Sequence, residues 1–208
     1  MSVPAGTAGA VLKQLRDGLC LQIAGDSQVL VNCCRGRAST CDPALVKPIR
    51  VAMEALQQAV TKFGVSCFLG RDLVAYTPCG DNSAADAAAN AAVDTGSFEL
   101  TMPMESQRFM ECWLRGGDDQ IGLLFSSDGA SRGNPGPSSF GTCAWWGRWA
   151  GDRFTASGQL FQKGVVLGRR TNNYAEAHGM AAAEKSALHY LFWLAEGCAK
   201  AAAKRDYM

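Results

Sequence analysis

The chain has 208 residues, 48% of them apolar, and a formal net charge of +1. That length gives room for one domain with extensions and an ordinary core. No run approaches the roughly 20 apolar residues that span a bilayer, so no membrane partner is expected, and the bulk charge neither supports nor excludes a local basic patch.

In chain order, Val11, Leu12 and Leu15 share a face, and residues 8–17 read as the end of a helix broken by Gly18. LCLQIA (19–24) has the length and apolarity of a strand and ends at Gly25-Asp26-Ser27. QVLVNCCRG then begins a short helix or a further turn. Asp42-Pro43 supplies a cap and a first helical turn for the periodic stretch 44–63, with Ile49, Met53, Leu56 and Val60 in register. Residues 65–69 and 72–76 read as strands. SAADAAANAAV (83–93) reads as a helix with Ser83 as its cap.

Residues 94–119 read as a connection: DTGSFELTMPMES is irregular, QRFMECWL (107–114) is a short helix and GGDD ends it. QIGLLFSSD (120–128) is a strand, and SRGNPGPSS is a long turn region. GTCAWWGRW (141–149) and ASGQLFQKGVVLG (156–168) form an antiparallel pair joined at 150–155, and 174–205 is a long helix. Nothing repeats as a solenoid would. A three-strand meander followed by a helix implies a mixed sheet with helices against it.

The chain carries nine cysteines in no regular framework, with Cys33 and Cys34 adjacent, and it opens with neither a secretory signal nor an arginine-rich transit peptide. Reduced thiols in an intracellular protein, of unspecified compartment, are therefore expected. With only His178 and His189 available, no CxxC or Cys2His2 zinc site is offered.

Four carboxylates stand out. Asp26 and Asp128 each follow an apolar strand-like run, and Asp86 and Glu176 fall in the first turns of helix-like runs. Taken singly, each has an ordinary explanation. Helix N-termini favour negative side chains, and aspartate is common where strands end in turns. Taken together, carboxylates so placed can converge and hold divalent metal.

Their flanking sequences go further. DGASRGNPGP followed by TNNYAE resembles the first and second acidic elements of type 1 ribonuclease H; GDSQVLVN resembles the third, and NSAADAAANAAVD the last. The resemblance spans about residues 12–93 and 120–192. It implies an α/β fold, a ribonuclease H-like mixed five-stranded sheet flanked by helices. The elements, however, run three, four, one, two. Residues 8–93 carry the second-half elements, 120–205 the first-half elements, and 94–119 join the family's old termini within a single domain over 1–208. At about 3.3 Å per extended residue that connector outreaches a small domain. A circular permutation gives this order, and so does excision from a tandem array of repeats. A swapped dimer, with each half completed by another chain, is the remaining arrangement, although a monomer suffices.

The resemblance implies hydrolysis of the RNA strand of RNA–DNA hybrids, leaving 5′-phosphate and 3′-hydroxyl ends. Asp128, Glu176, Asp26 and Asp86 would be the catalytic ligands of two Mg2+ ions, with Mn2+ as a substitute. Asn134, Asn172 and Gln28 match minor-groove contacts, and Thr171 matches a contact to the DNA phosphates. Arg35, Arg37, Arg132, Arg169 and Arg170 could add phosphate contacts. The histidine that many members carry before the last acid is missing from AYTPCGDN, and His178 is incidental. Also missing is the basic helix insertion that some relatives use to grip hybrids.

Trp145, Trp146, Trp149 and Phe154 read first as cross-strand packing and second as a stacking or protein-binding surface. The alternative to an active nuclease is a non-catalytic ribonuclease H-like interaction module within a larger nucleoprotein or protein assembly. The rearranged order and low net charge motivate it, and retention of all four acids opposes it.

Overall fold

A computed structural model describes residues 19–37, 42–63, 73–115, 121–151 and 153–205. The expected helix end at 8–17 and the expected strand at 65–69 lie outside these residues. The elements are β1 (Leu19–Gly25), α1 (Gln28–Cys34), α2 (Pro43–Phe63), β2 (Val74–Tyr76), a 3-10 turn (Cys79–Asn82), α3 (Ser83–Thr95), β3 (Phe98–Thr101), α4 (Pro103–Arg115), β4 (Ile121–Ser131), β5 (Gly136–Ala150), β6 (Arg153–Arg170) and α5 (Asn172–Arg205).

The fold is α/β, with one mixed sheet flanked by helices in the order β2-β1-β4-β5-β6-β3. β1 runs parallel to both β2 and β4, and β4, β5, β6 and β3 are successively antiparallel. Among the described residues the sheet therefore has six strands, not five. The sixth, β3, comes from the connector expected to be irregular. Its side chains are mostly exposed, so it carries little apolar alternation, and pairing with the edge of β6 holds it. α4 is longer than expected because Pro103 starts it; proline is well tolerated at a first helical position, where its missing N–H would be unpaired anyway.

The two faces of the sheet are covered differently. On one face the main core gathers Leu21, Ile23, Leu123 and Phe125 from the central strands with Ile49 and Leu56 of α2, Phe109 of α4, and Met180 and Leu191 of α5. On the other lies α3, whose buried side chains are alanines (Ala85, Ala88, Ala89, Ala92). Glycines in the sheet explain that composition. A Cβ on Gly141 would come within 2.1 Å of the Ala85 carbonyl, and one on Gly164 within 2.6 Å of that of Ala88. The helix backbone thus rests directly on the strands, and larger side chains would lift it away.

Three further expectations need correction. The Gly/Pro/Ser stretch is only briefly a turn: β4 runs on to Ser131 and β5 begins at Gly136, so Asp128 lies within a paired strand, opposite Gly141. The Ser138 hydroxyl, which donates to the Arg170 carbonyl at 2.8 Å, helps a serine-rich segment serve as buried strand. Glu176 is in the second turn of α5, not the first, because the helix starts at Asn172. Finally, Cys33 is disulfide-bonded, whereas Cys20, Cys34, Cys79, Cys112 and Cys143 remain thiols. Adjacent residues on a helix point about 100° apart, so Cys33 and Cys34 have separate fates.

Trp149 and Phe154 pair across the β5–β6 hairpin with ring centroids 4.8 Å apart, in a small cluster with Cys20 and Leu124. Trp146 instead packs on the main core beside Phe109. Among the described residues no helix is long and apolar enough to cross a membrane.

Candidate functional site

The end of β1, the middle of β4 and the start of α5 border a small cleft of about 10 Å³, lined by Asp26, Asp128 and Glu176 with Ser27, Ser127 and Met180. Close approach makes it. Gly129, directly after Asp128, lies so near α5 that a Cβ there would sit 2.3 Å from the Glu176 backbone nitrogen. The DG pair therefore does two jobs: the acid faces the site and the glycine admits the helix that carries the next acid. From the opposite face α3 brings Asp86, which shares a hydrogen bond with Asp128. The buried Asn82, just before α3, donates to the Ser127 carbonyl at 2.9 Å and ties that helix to β4 beside Asp128.

The four acids meet pairwise. Asp128 interacts with Asp26 and Asp86, and Glu176 with Asp26. Burial first, then Asp26 and Asp86, push the Asp128 carboxyl up to about 8, against the opposing pull of the Gly129 N–H, which donates to Oδ1 at 2.8 Å. Burial, followed by Asp26, also raises Glu176, while hydrogen bonds from Ser27 and Asn172 act the other way. Among the described residues no three or more His, Cys, Asp or Glu side chains form a closed metal-holding group. Carboxylates with no counter-charge repel one another, which accords with contacts that are pairwise. The donor set is all oxygen, which fits a hard divalent cation.

Polar neighbours fix three of the acids. Asn172 Nδ2 donates to Glu176 Oε1 at 2.6 Å. Asn90 Nδ2 donates to Asp86 Oδ1 at 2.7 Å, and Arg132 in turn donates to Asn90 Oδ1 at 2.8 Å and pairs with Asp94 at 3.0 Å. The exposed Cys79 thiol hydrogen-bonds Asp26, whose charge raises the thiol's pKa.

Of the residues matched to substrate contacts, Asn172 reaches the cleft through Glu176, and the others have partners of their own. Thr171 Oγ1 accepts from the Tyr174 N–H at 3.3 Å and caps α5, and Asn134 Oδ1 accepts from the Asn172 N–H at 3.3 Å. Gln28 is exposed at the start of α1, next to Ser27, and donates to Asn32 at 3.1 Å. Of the arginines, Arg132 stands by α3, Arg170 stacks on Tyr174 at 5.1 Å, and Arg35 is turned to the Val74 carbonyl at 2.9 Å. His178 stacks on Tyr174 at 4.3 Å, and burial lowers its pKa.

Ser27, Cys79, Asn82 and Asn90 were not singled out by the sequence. Ser27, Asn82 and Asn90 lie within the quoted motifs, Ser27 one residue from Asp26 and the two asparagines four residues either side of Asp86, and that spacing was the available signal. Cys79 carried none beyond its place in the loop before α3. No protein-family model, curated protein or solved structure matches the chain, so the functional reading rests on the motifs and this geometry.

Proposed function

We propose that the chain is a metal-dependent endonuclease of ribonuclease H type that hydrolyses the RNA strand of RNA–DNA hybrids. The observation that carries this is the meeting of Asp26, Asp128 and Glu176 at one small cleft, with Asp86 reaching Asp128 from α3, so that four segments spread along the chain contribute. A scaffold has no physical reason to gather four like charges and bury one of them. The element order supports a permuted version of that fold. Started at β4, the chain would run as an antiparallel meander, a helix, a parallel strand beside β4, two helices, a second parallel strand and a closing helix, with β3 and α4 trailing.

Asp128, Asp26, Asp86 and Glu176 would hold divalent magnesium, with manganese as a substitute. Bound there, such ions supply Lewis-acid charge that activates water and stabilises the leaving 3′ oxygen. The protein's own groups do the rest. Asp128, raised by burial and its acidic neighbours, would bind such an ion as the carboxylate, its proton released to solvent. Asn172 keeps Glu176 aimed into the cleft. Ser27 holds Glu176 from the β1 side, and Asn90 steadies Asp86. Asn134, Asn172 and Gln28 offer amides to the minor groove, where 2′-hydroxyls distinguish RNA from DNA, and Thr171 stands ready for the DNA phosphates. Cleavage would leave 5′-phosphate and 3′-hydroxyl ends.

The test is a cleavage assay on hybrid, double-stranded RNA and double-stranded DNA, with magnesium and with manganese. Hybrid-selective cleavage that chelator abolishes is expected. Folded protein that cuts none of the three would sink the proposal and leave the interaction module standing.

A further inference from the structure

A second cavity, of about 460 Å³, opens between β3, the start of α4, β6 and the middle of α5. That volume lies in the range of small-molecule sites. The cavity owes one wall to the connector: Glu99 and Thr101 of β3, paired beside Lys163 and Phe161 of β6, and Ser106 of α4 meet a stretch of α5. It is separate from the acid cleft. Glu176 and His189 are 13 residues apart on α5, roughly 20 Å along the axis at about 1.5 Å per residue.

Its lining divides into three chemistries. An aromatic floor comes from Phe161 and Tyr190, stacked at 6.0 Å and 22°, with Trp193 edge-on to Tyr190 at 5.8 Å. Hydroxyls follow, from Thr101, Ser106 and Ser186, and Ser106 hydrogen-bonds Tyr190. Cations stand at the mouth. Lys163 is paired to Glu99 at 2.9 Å, which cancels its charge, so the exposed Lys185 leaves the lining net positive, with His189 one turn further along the helix. A flat ring prefers an aromatic floor, a polyol prefers hydroxyls, and an anion prefers the lysine.

We propose that this cavity is a binding site for a nucleoside monophosphate, with the base on Phe161, Tyr190 and Trp193, the ribose along the hydroxyl wall and the phosphate at Lys185. The site is independent of the nuclease reading, since it uses none of the four acids.

Isothermal titration of the full chain in chelator, with adenosine 5′-monophosphate as the probe, tests it. One-to-one binding is expected, with adenosine and inorganic phosphate each weaker by about tenfold or more. Lys185→Glu, at an exposed position, should weaken the nucleotide by about tenfold without changing adenosine. Thr101→Trp, which fills the cavity from the exposed edge strand, should abolish binding, and Asp128→Asn should leave it unchanged. The proposal is overturned if folded wild-type protein fails to bind millimolar nucleotide. It is equally overturned if Asp128→Asn removes binding, or if Lys185→Glu and Thr101→Trp both retain it.

Discussion

Two buried carboxyls in this molecule are raised to about 8, both chiefly by burial, but their neighbours act in opposite directions. Asp128 is pushed up by burial and by the charges of Asp26 and Asp86. Glu184, in the middle of α5 and fully buried, is pushed up by burial, while its neighbours Cys34 and Lys185 pull the other way. The Cys34 thiol donates to Glu184 Oε1 at 3.7 Å, and among the described residues Oε2 has no hydrogen-bond partner. The part of a shift that comes from other acids is one a cation can reverse. A carboxyl raised by dry surroundings is a stability cost that no ion relieves.

The largest effect expected of that difference is at Asp128. Asp128→Asn removes the carboxylate common to the Asp26 and Asp86 contacts. It should lower hybrid cleavage on the order of 10³-fold, several kcal/mol of transition-state stabilisation, while the metal-free protein melts no lower than wild type because a like-charge contact is gone. Magnesium should raise the melting temperature of wild type, by about 2.7 kcal/mol of stability at a hundred times the dissociation constant, and should do nothing for the variant. Equal stabilisation of both by magnesium would place the ion elsewhere and break the comparison.

Glu184 gives the next effect, in stability alone. Its folded pKa lies above its ordinary value of 4.5. The native state therefore binds the proton more tightly than the unfolded chain, and the favourable contribution is complete below about pH 4.5 and lost as pH rises toward 8. Glu184→Gln keeps the shape of the protonated acid. It should be near neutral at pH 5 and stabilising by about 1–3 kcal/mol at pH 8.5, the usual cost of a buried polar group left unpaired. Thermal melts across that range, without magnesium and with it, decide the matter: a magnesium-dependent Glu184→Gln effect would mean the two carboxyls are one system.

Much of the acid cleft could be read from the sequence because its elements are local. GDS, SDG, TNNYAE and NSAAD each place an acid and its immediate support within a few residues, and α2 shows its apolar period in the sequence. What could not be read depends on contacts between distant segments. Phe98–Thr101 becomes a strand only because β6 offers an edge. Glu184 in AAAEKSA looks like an ordinary solvent-facing charge; its burial comes from β-sheet and helices packed around α5, with Cys34 150 residues away in sequence. The aromatic cavity was invisible for the same reason, since four of its eleven lining residues belong to a connector read as irregular.

Asn172→Ala comes next. It frees Glu176 from its 2.6 Å partner, as loss of an outer partner loosens a metal ligand, and should cost about 10–100-fold in cleavage or metal affinity with little change in melting temperature. Cleavage by Asn172→Ala within twofold of wild type would leave Ser27 as the group that positions Glu176.

The smallest effect should come from the outermost link of the Asp86 relay. Arg132 is half-exposed, and its ion pair with Asp94 is exposed as well, so Arg132→Ala should cost less than about 1 kcal/mol of stability. Its effect on cleavage would run through Asn90, which remains bonded to the Asp86 carboxylate and to its carbonyl. A fewfold loss is expected for Arg132→Ala, and a larger one for Asn90→Ala, which takes away the amide that holds the acid itself. Because Arg132 could also meet substrate phosphate, salt separates the two roles. An arginine that neutralises phosphate leaves hybrid binding less salt-dependent when it is replaced, whereas a slackened Asp86 lowers turnover and keeps the salt dependence as it was. If Arg132→Ala flattens the salt dependence with turnover at saturating hybrid unchanged, the relay has no part in holding Asp86.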